Sequence, residues 1–364
     1  MTDSSIPREL SSVTVATAAS AAERPVVIQP QARVIALASG KSGVGKSSLW
    51  VNLGIALARR GKRVCLFDAE TDTAHADIMP GLSPKFTPQN LLLQDKSIDE
   101  LLSVDPDGIK VISAAAGIGE FIHLAAEQQQ RLLATLKLLE QRFDYLIINT
   151  AASIDTTLIQ YLLAAPYTIL TITPEPASLS DAFSLLKQLK RYYFSHPLFV
   201  IVNKVANLPE AHDTFKQFKQ TAAKSLQLEI RYLGYALSDT ELAQSSSVQQ
   251  PILLRQPQAM FSQCLTAISN RLRQLLDQDP TPDHSLSGFF EKLSLPQEQG
   301  SSGDRESTAA TGSTVDKNAL NASLDTPIDE PTPTPISSPT DERAALLAAT
   351  YYAHLLGSKE AMNG

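Results

Sequence analysis

Lys46 and Ser47, with the glycines just before them, are the residues whose types and spacing speak first of chemistry. The stretch Gly40-Lys41-Ser42-Gly43-Val44-Gly45-Lys46-Ser47 fits the pattern G-x-x-x-x-G-K-[ST]. Glycines at that spacing let backbone N–H groups turn inward around phosphate oxygens, and a helix starting there adds the positive end of its dipole. Lys46 then reaches the β- and γ-phosphates of a nucleotide, and Ser47 ligates Mg²⁺, with Ser48 beside it on the first helical turn. Lys41 lies five residues ahead of Lys46. Phosphates in the loop are already served by the amides and by Lys46. Lys41 is therefore placed to reach across a two-fold interface onto a partner's nucleotide, neutralising charge as an arginine finger does. Taken alone, it reads as a solvated loop lysine.

The motif needs a strand before it and a helix after it. The apolar run Val34-Ile35-Ala36-Leu37-Ala38 precedes it, and residues 49–60 carry a helical pattern. Short apolar runs predict strands at 34–39, 63–68, 110–114, 144–149, 167–173, 198–203 and 230–235. Helical patterns fall near 47–60, 127–141, 155–163, 178–193, 209–225, 239–246 and 258–276. Runs apolar almost throughout, such as Tyr145-Leu146-Ile147-Ile148, suit a sheet covered on both faces. The fold class is therefore α/β, a doubly wound and mostly parallel sheet. Ligands in such sheets bind beyond the carboxyl ends of the strands, so the residues just after each strand carry the information.

Lys41-Ser42-Gly43-Val44-Gly45-Lys46-Ser47 resembles the signature K-G-G-x-G-K-[ST] of the MinD/ParA family of deviant Walker ATPases, with Ser42 in place of the first glycine. The resemblance spans roughly residues 33–276 and implies a P-loop fold, ATP or ADP with Mg²⁺ as ligands, and an ATP-dependent homodimer. After the second strand the family has D-x-D. Asp68 matches its first carboxylate, while Glu70 stands where the second, which orients or deprotonates the attacking water, is expected. The same acidic cluster, through Asp72, His75 and Asp77, also reads as a solvated strand-end loop. After the fourth predicted strand the family places a Walker B aspartate. Here Asn149 replaces it, within Ile148-Asn149-Thr150-Ala151-Ala152-Ser153. A neutral amide gives weaker support to the Mg²⁺ shell, so the expectation is nucleotide binding with slow or lost hydrolysis.

The segment Thr173-Pro174-Glu175-Pro176-Ala177-Ser178-Leu179-Ser180-Asp181-Ala182 is similar to the T-P-E-P-x-S-x-x-D-A of the flagellar-number branch, FlhG or FleN. Its prolines stop the strand and Ser178 is placed to cap the next helix. Leu179, Phe183, Leu186, Leu189 and Tyr193 then recur at helical spacing as a core stripe. Lys187, Lys190 and Arg191 face elsewhere, as a solvated face or, less favoured, a partner or DNA patch. By the resemblance Asn203 contacts the adenine, since an amide both donates and accepts; alternatively it caps its strand. Val248-Gln249-Gln250-Pro251-Ile252-Leu253 resembles a segment whose backbone approaches the base. Trp50 reads as packed, and the six histidines show no metal-ligand spacing.

Composition divides the chain into a flexible lead-in at 1–32, a P-loop domain at 33–276, an acidic Pro/Ser/Thr-rich linker at 277–342 and a short helix at 343–358. The net charge of −7 is uneven, because 277–342 holds 13 acidic and 3 basic side chains, which leaves the rest mildly basic. That charge gives no strong nucleic-acid signal. Within the linker, Leu286-Ser287-Gly288-Phe289-Phe290-Glu291-Lys292-Leu293 is an apolar island, either a docking motif or a stray cluster. The last helix has Arg343 and Lys359 as its few basic neighbours, so membrane docking is disfavoured. It reads as a helix for a partner's groove or as a weakly ordered tail. Cys65 and Cys264 lie in apolar segments, as buried thiols in a reducing cytosol would. With no export signal or apolar run of spanning length visible, the expected location is cytoplasmic, with recruitment to a cell pole or assembly site.

These readings converge on an ATP-binding regulatory switch that acts with an unidentified protein partner on a cell-surface apparatus such as the flagellum. A nucleotide-dependent scaffold in secretion or polysaccharide assembly, and a ParA-like DNA-positioning protein, stand as alternatives.

Overall fold

The computed structural model describes residues 31–70, 98–104, 109–113, 121–279 and 285–294. Within them one sheet contains β1 (Arg33–Ala38), β2 (Val64–Asp68), β3 (Ser103–Val104), β4 (Lys110–Ser113), β5 (Tyr145–Asn149), β6 (Tyr167–Ile172), β7 (Leu198–Val205) and β8 (Ile230–Leu237). The strand order is β3-β4-β2-β5-β1-β6-β7-β8. All neighbours run parallel except the two-residue β3, which pairs antiparallel with β4. The seven parallel strands match the seven expected from sequence; β3 is too short to leave a pattern.

The helices are α1 (Lys46–Ala58), α2 (Ile98–Leu101), α3 (Ala126–Arg142), α4 (Thr156–Ala164), α5 (Pro176–Arg191), α6 (Leu208–Leu226), α7 (Thr240–Ser247), α8 (Ile252–Arg255), α9 (Met260–Gln278) and α10 (Leu286–Ser294). They cover both faces of the sheet. Apolar residues of α3, α4, α5, α6 and α10 form one core layer with the strands, and those of α1, α8 and α9 form the other. Burial on both sides explains why β5 and β6 are apolar along nearly their whole length. Trp50 fits this plan: its indole is buried and donates to the Ile147 carbonyl at 2.8 Å.

β1 lies centrally, paired with β5 through Leu37↔Asn149 and with β6 through Ala38↔Leu170. Strand order departs to opposite sides from this point, which opens a crevice beyond the carboxyl ends of the central strands. The phosphate-loop motif follows β1 and so lies at that crevice.

Three local expectations change. α5 starts at Pro176, three residues earlier than a cap at Ser178 would allow, and the Ser178 hydroxyl accepts from the Thr173 amide at 3.0 Å. Pro176 can take this early position because a first-turn N–H has no helical partner. The helix also ends at Arg191, so Tyr193 leaves the apolar stripe and stands exposed in left-handed backbone. Cys264 is half-buried, while Cys65 is fully buried.

The largest correction concerns the linker. α9 runs to Gln278, and the apolar island at 286–293 folds as α10, with Leu286, Phe289 and Phe290 fully buried. Phe290 packs against Phe121 with ring centroids 5.2 Å apart, and Lys137 of α3 pairs with Glu291 at 2.7 Å. The buried Glu140 carboxylate accepts from the Leu286 amide at 2.8 Å and from the Ser287 hydroxyl. Burial pushes that carboxyl above the usual glutamate range, and the Ser287 bonds oppose the shift. Composition missed this helix because its order comes from a groove supplied by α3 and Phe121, far away in sequence. The lead-in up to residue 30, the residues between 71 and 97, and the tail, where a helix is expected at 343–358, lie outside the described residues.

Candidate functional site

A cavity of about 480 Å³ opens at the carboxyl end of the sheet, lined by Lys41 through Ser48, with Glu70, Asn203 and Lys204 among its walls. The loop that forms it bends through left-handed backbone at Gly43 (φ 80°) and Gly45 (φ 88°), which glycine adopts at little cost. Gly45 is also the N-cap of α1 and has no side chain with which to cap it. The first-turn amides at Lys46, Ser47 and Ser48 therefore face the cavity as donors for an anion.

Gly40 does not line the cavity. A Cβ there would overlap the backbone of Asp181 and Ala182 in α5, so this glycine serves the close approach of the loop to that helix. Lys41 sits on the rim, its ammonium 3.2 Å from a Glu175 carboxylate oxygen. With the two side chains 40% and 61% exposed, solvent screens that pair, and it leaves Lys41 able to move.

Lys46 is held differently. Its ammonium is buried and donates to Asn149 Oδ1 at 2.7 Å, to Glu70 Oε2 at 3.0 Å and to the Thr150 carbonyl. Burial lowers its proton affinity, against the raising influence of Glu70 and, less, Asp68. Thr150 is fixed in turn by its hydroxyl, which donates to the Leu37 carbonyl at 2.7 Å.

Asn149 is the hub of this network. It ends β5 fully buried, and its amide nitrogen donates to Asp68 Oδ1 and to Glu70 Oε2, each at 3.1 Å. An aspartate would face two carboxylates there, whereas the amide supplies the two protons they need and an acceptor for Lys46. The structure thus brings Lys46, Glu70, Asp68 and Asn149 together, with Glu70 on the cavity wall and Asn149 beneath it.

Asn203 enters from the other side, at the end of β7. Its Nδ2 donates to the Val44 carbonyl at 2.8 Å, and its Oδ1 is buried with no hydrogen-bond partner. A buried acceptor in that condition fits a ligand that brings a donor. Beside it the cavity is closed by Leu237, Ser238, Asp239, Leu242, Ala243 and Ser246. Sequence reading missed this β8–α7 wall and looked to 248–253. That segment instead braces α1, where the Leu253 amide donates to Asn52 Oδ1 at 3.0 Å.

The arrangement suits a nucleotide: glycine-bent amides and a lysine for phosphates, and a buried acceptor for a base amine. The Ser47 hydroxyl, on the first turn of α1 at the cavity wall, would serve as a ligand to Mg²⁺. Among the described residues no cluster of three or more His, Cys, Asp or Glu side chains could hold a metal by itself. Nor, among those residues, is any helix long and apolar enough to cross a membrane.

Comparison with known proteins agrees with this geometry. A family model described as an AAA domain matches residues 32–196. The antiactivator FleN of Pseudomonas aeruginosa is 29% identical over 264 residues, covering 72% of this chain and 93% of that protein. The septum site-determining protein MinD of Bacillus subtilis is 30% identical over 233 residues, covering 60% of this chain and 81% of its own. Among solved structures, MinD of Pyrococcus horikoshii complexed with Mg-ADP superposes with a TM-score of 0.53, at 18% identity over 67% of this chain and 97% of that one.

Proposed function

The chain belongs to the MinD/ParA family, with its flagellar-number branch among the relatives, and on that premise we propose that it is an ATP-dependent regulatory switch whose hydrolysis is slow or lost. The observation that carries this reading is the Asn149 hub beneath an otherwise complete phosphate loop. Similarity to an antiactivator and to a septum site-determining protein supports a regulator of a cell-surface apparatus, the flagellum first, acting in the cytoplasm with a protein partner.

In this reading the amides of residues 43–48 bind the phosphates, and Ser47 holds Mg²⁺ against them. The bound metal supplies charge neutralisation at the phosphates. Lys46 must leave Glu70 and Asn149 to reach the phosphates. That move parts Glu70 from Lys46 and leaves its carboxylate held by the Asn149 amide, on the cavity wall, as the group that orients water. Lys41 leaves Glu175 and extends toward the nucleotide of a second copy, which ties dimer formation to the triphosphate.

Asn149 also favours a second reading, a scaffold that uses ATP only to dimerise. The two differ in turnover and share the site.

Base selectivity tests the site. Asn203 Nδ2 is engaged by Val44, so its free atom toward a base is the acceptor Oδ1. Adenine brings an amine donor there and guanine an oxygen. Calorimetric titration of the full chain should show GTP binding at least about tenfold more weakly than ATP. Equal affinities would remove Asn203 from the base site, and no heat with either nucleotide would remove the site itself.

A further inference from the structure

We propose that Lys204 is a positioning residue that holds the phosphate loop in its anion-binding shape before any nucleotide arrives; this rests on the nucleotide-site reading above. Three observations meet at this residue. Its ammonium donates to the Gly43 carbonyl at 2.7 Å. Its backbone is left-handed, with φ 56°, inside a strand. The β7–β8 register also slips there: Val202 pairs with Tyr235 and Val205 with Leu237, so Asn203 and Lys204 together oppose Ala236.

That slip is a bulge, and its consequence is geometric. Neighbouring side chains of a regular strand point to opposite faces. The left-handed residue cancels the alternation, so Asn203 and Lys204 both address the same loop. They hold two consecutive carbonyls, Val44 by Asn203 at 2.8 Å and Gly43 by Lys204. With those oxygens drawn toward β7, the amides of the loop are left facing the cavity. Gly45 completes the fit, since a Cβ there would overlap the Asn203 amide nitrogen.

A lysine tolerates left-handed backbone poorly, so a residue chosen for stability alone would be glycine. The strain persists because the side chain has a task. This separates a positioning role from a structural one by the sign of two effects. Lys204→Gly relieves the strain and drops the hydrogen bond. Its melting temperature should hold or rise by up to about 2–4 °C, while ATP affinity falls about 3- to 10-fold. Lys204→Arg keeps a donor and should bind ATP within about twofold of the wild type.

The test is thermal melting, ATP calorimetry and amide hydrogen exchange on the full chain and both variants. With ATP bound, exchange at residues 43–48 should be faster in Lys204→Gly than in the wild type, and Lys204→Arg should match the wild type. If Lys204→Gly binds ATP as well as the wild type, with unchanged loop exchange, the proposal is wrong and the nucleotide site stands. If its affinity and melting temperature fall together, the role is structural and the proposal is again wrong. If the wild type binds no nucleotide, the site reading fails, whatever the exchange shows.

Discussion

Asn149→Asp is expected to raise the rate of phosphate release from ATP by about 10- to 100-fold, the range over which groups behind a metal shell act. The amide now donates to Asp68 and Glu70 and accepts from Lys46. A carboxylate there would stand ready to support Mg²⁺, as the family's own aspartate does. It would also set three like charges around one lysine when the metal is absent. The variant should therefore melt earlier than the wild type in chelator, by about 1–3 kcal/mol of stability, and regain that loss with Mg²⁺ and nucleotide. The wild type should show little such dependence on chelator. Coupled phosphate-release assays and melting curves check both halves. Brisk turnover by the wild type, unchanged in the variant, would mean that Asn149 has no part in the metal site.

Phe290→Ala is expected to destabilise the fold by about 3–5 kcal/mol, the usual cost of emptying a phenylalanine-sized site in a core. For a domain of this size that is a fall in melting temperature of roughly 6–20 °C. The ring is fully buried between Phe121 and Phe289. α10 therefore belongs to the fold and caps the α3–α4 layer. A loss under about 1 kcal/mol in denaturant titration would show that α10 rests loosely on its groove. The surviving folded protein should keep its nucleotide affinity, since none of the cavity-lining residues lies on α10.

These two residues also mark what sequence could and could not reveal. The phosphate loop is legible because it is contiguous: its glycines, Lys46 and Ser47 are fixed by the turn they make together. Asn149 and Asn203 are legible because a parallel sheet places ligand-facing residues just past strand ends. The roles of Gly40 and Lys204 are not, because each depends on an element far along the chain. Gly40 answers to the backbone of Asp181, and Lys204 to a bulge that only the β7–β8 pairing defines. α10 was hidden by the opposite effect. Its flanks are rich in polar and proline residues, and its helix gains stability only where its apolar face meets α3. The wall formed by Leu237 to Ser246 carried no motif and follows from the path of the chain after β8.

The direct test of the central claim is light scattering of the full chain with Mg²⁺ and either ATP or ADP. Mass should double with ATP, stay unchanged with ADP, and not double for Lys41→Ala. A chain that remains single under saturating ATP, or that pairs equally well without nucleotide, would contradict it.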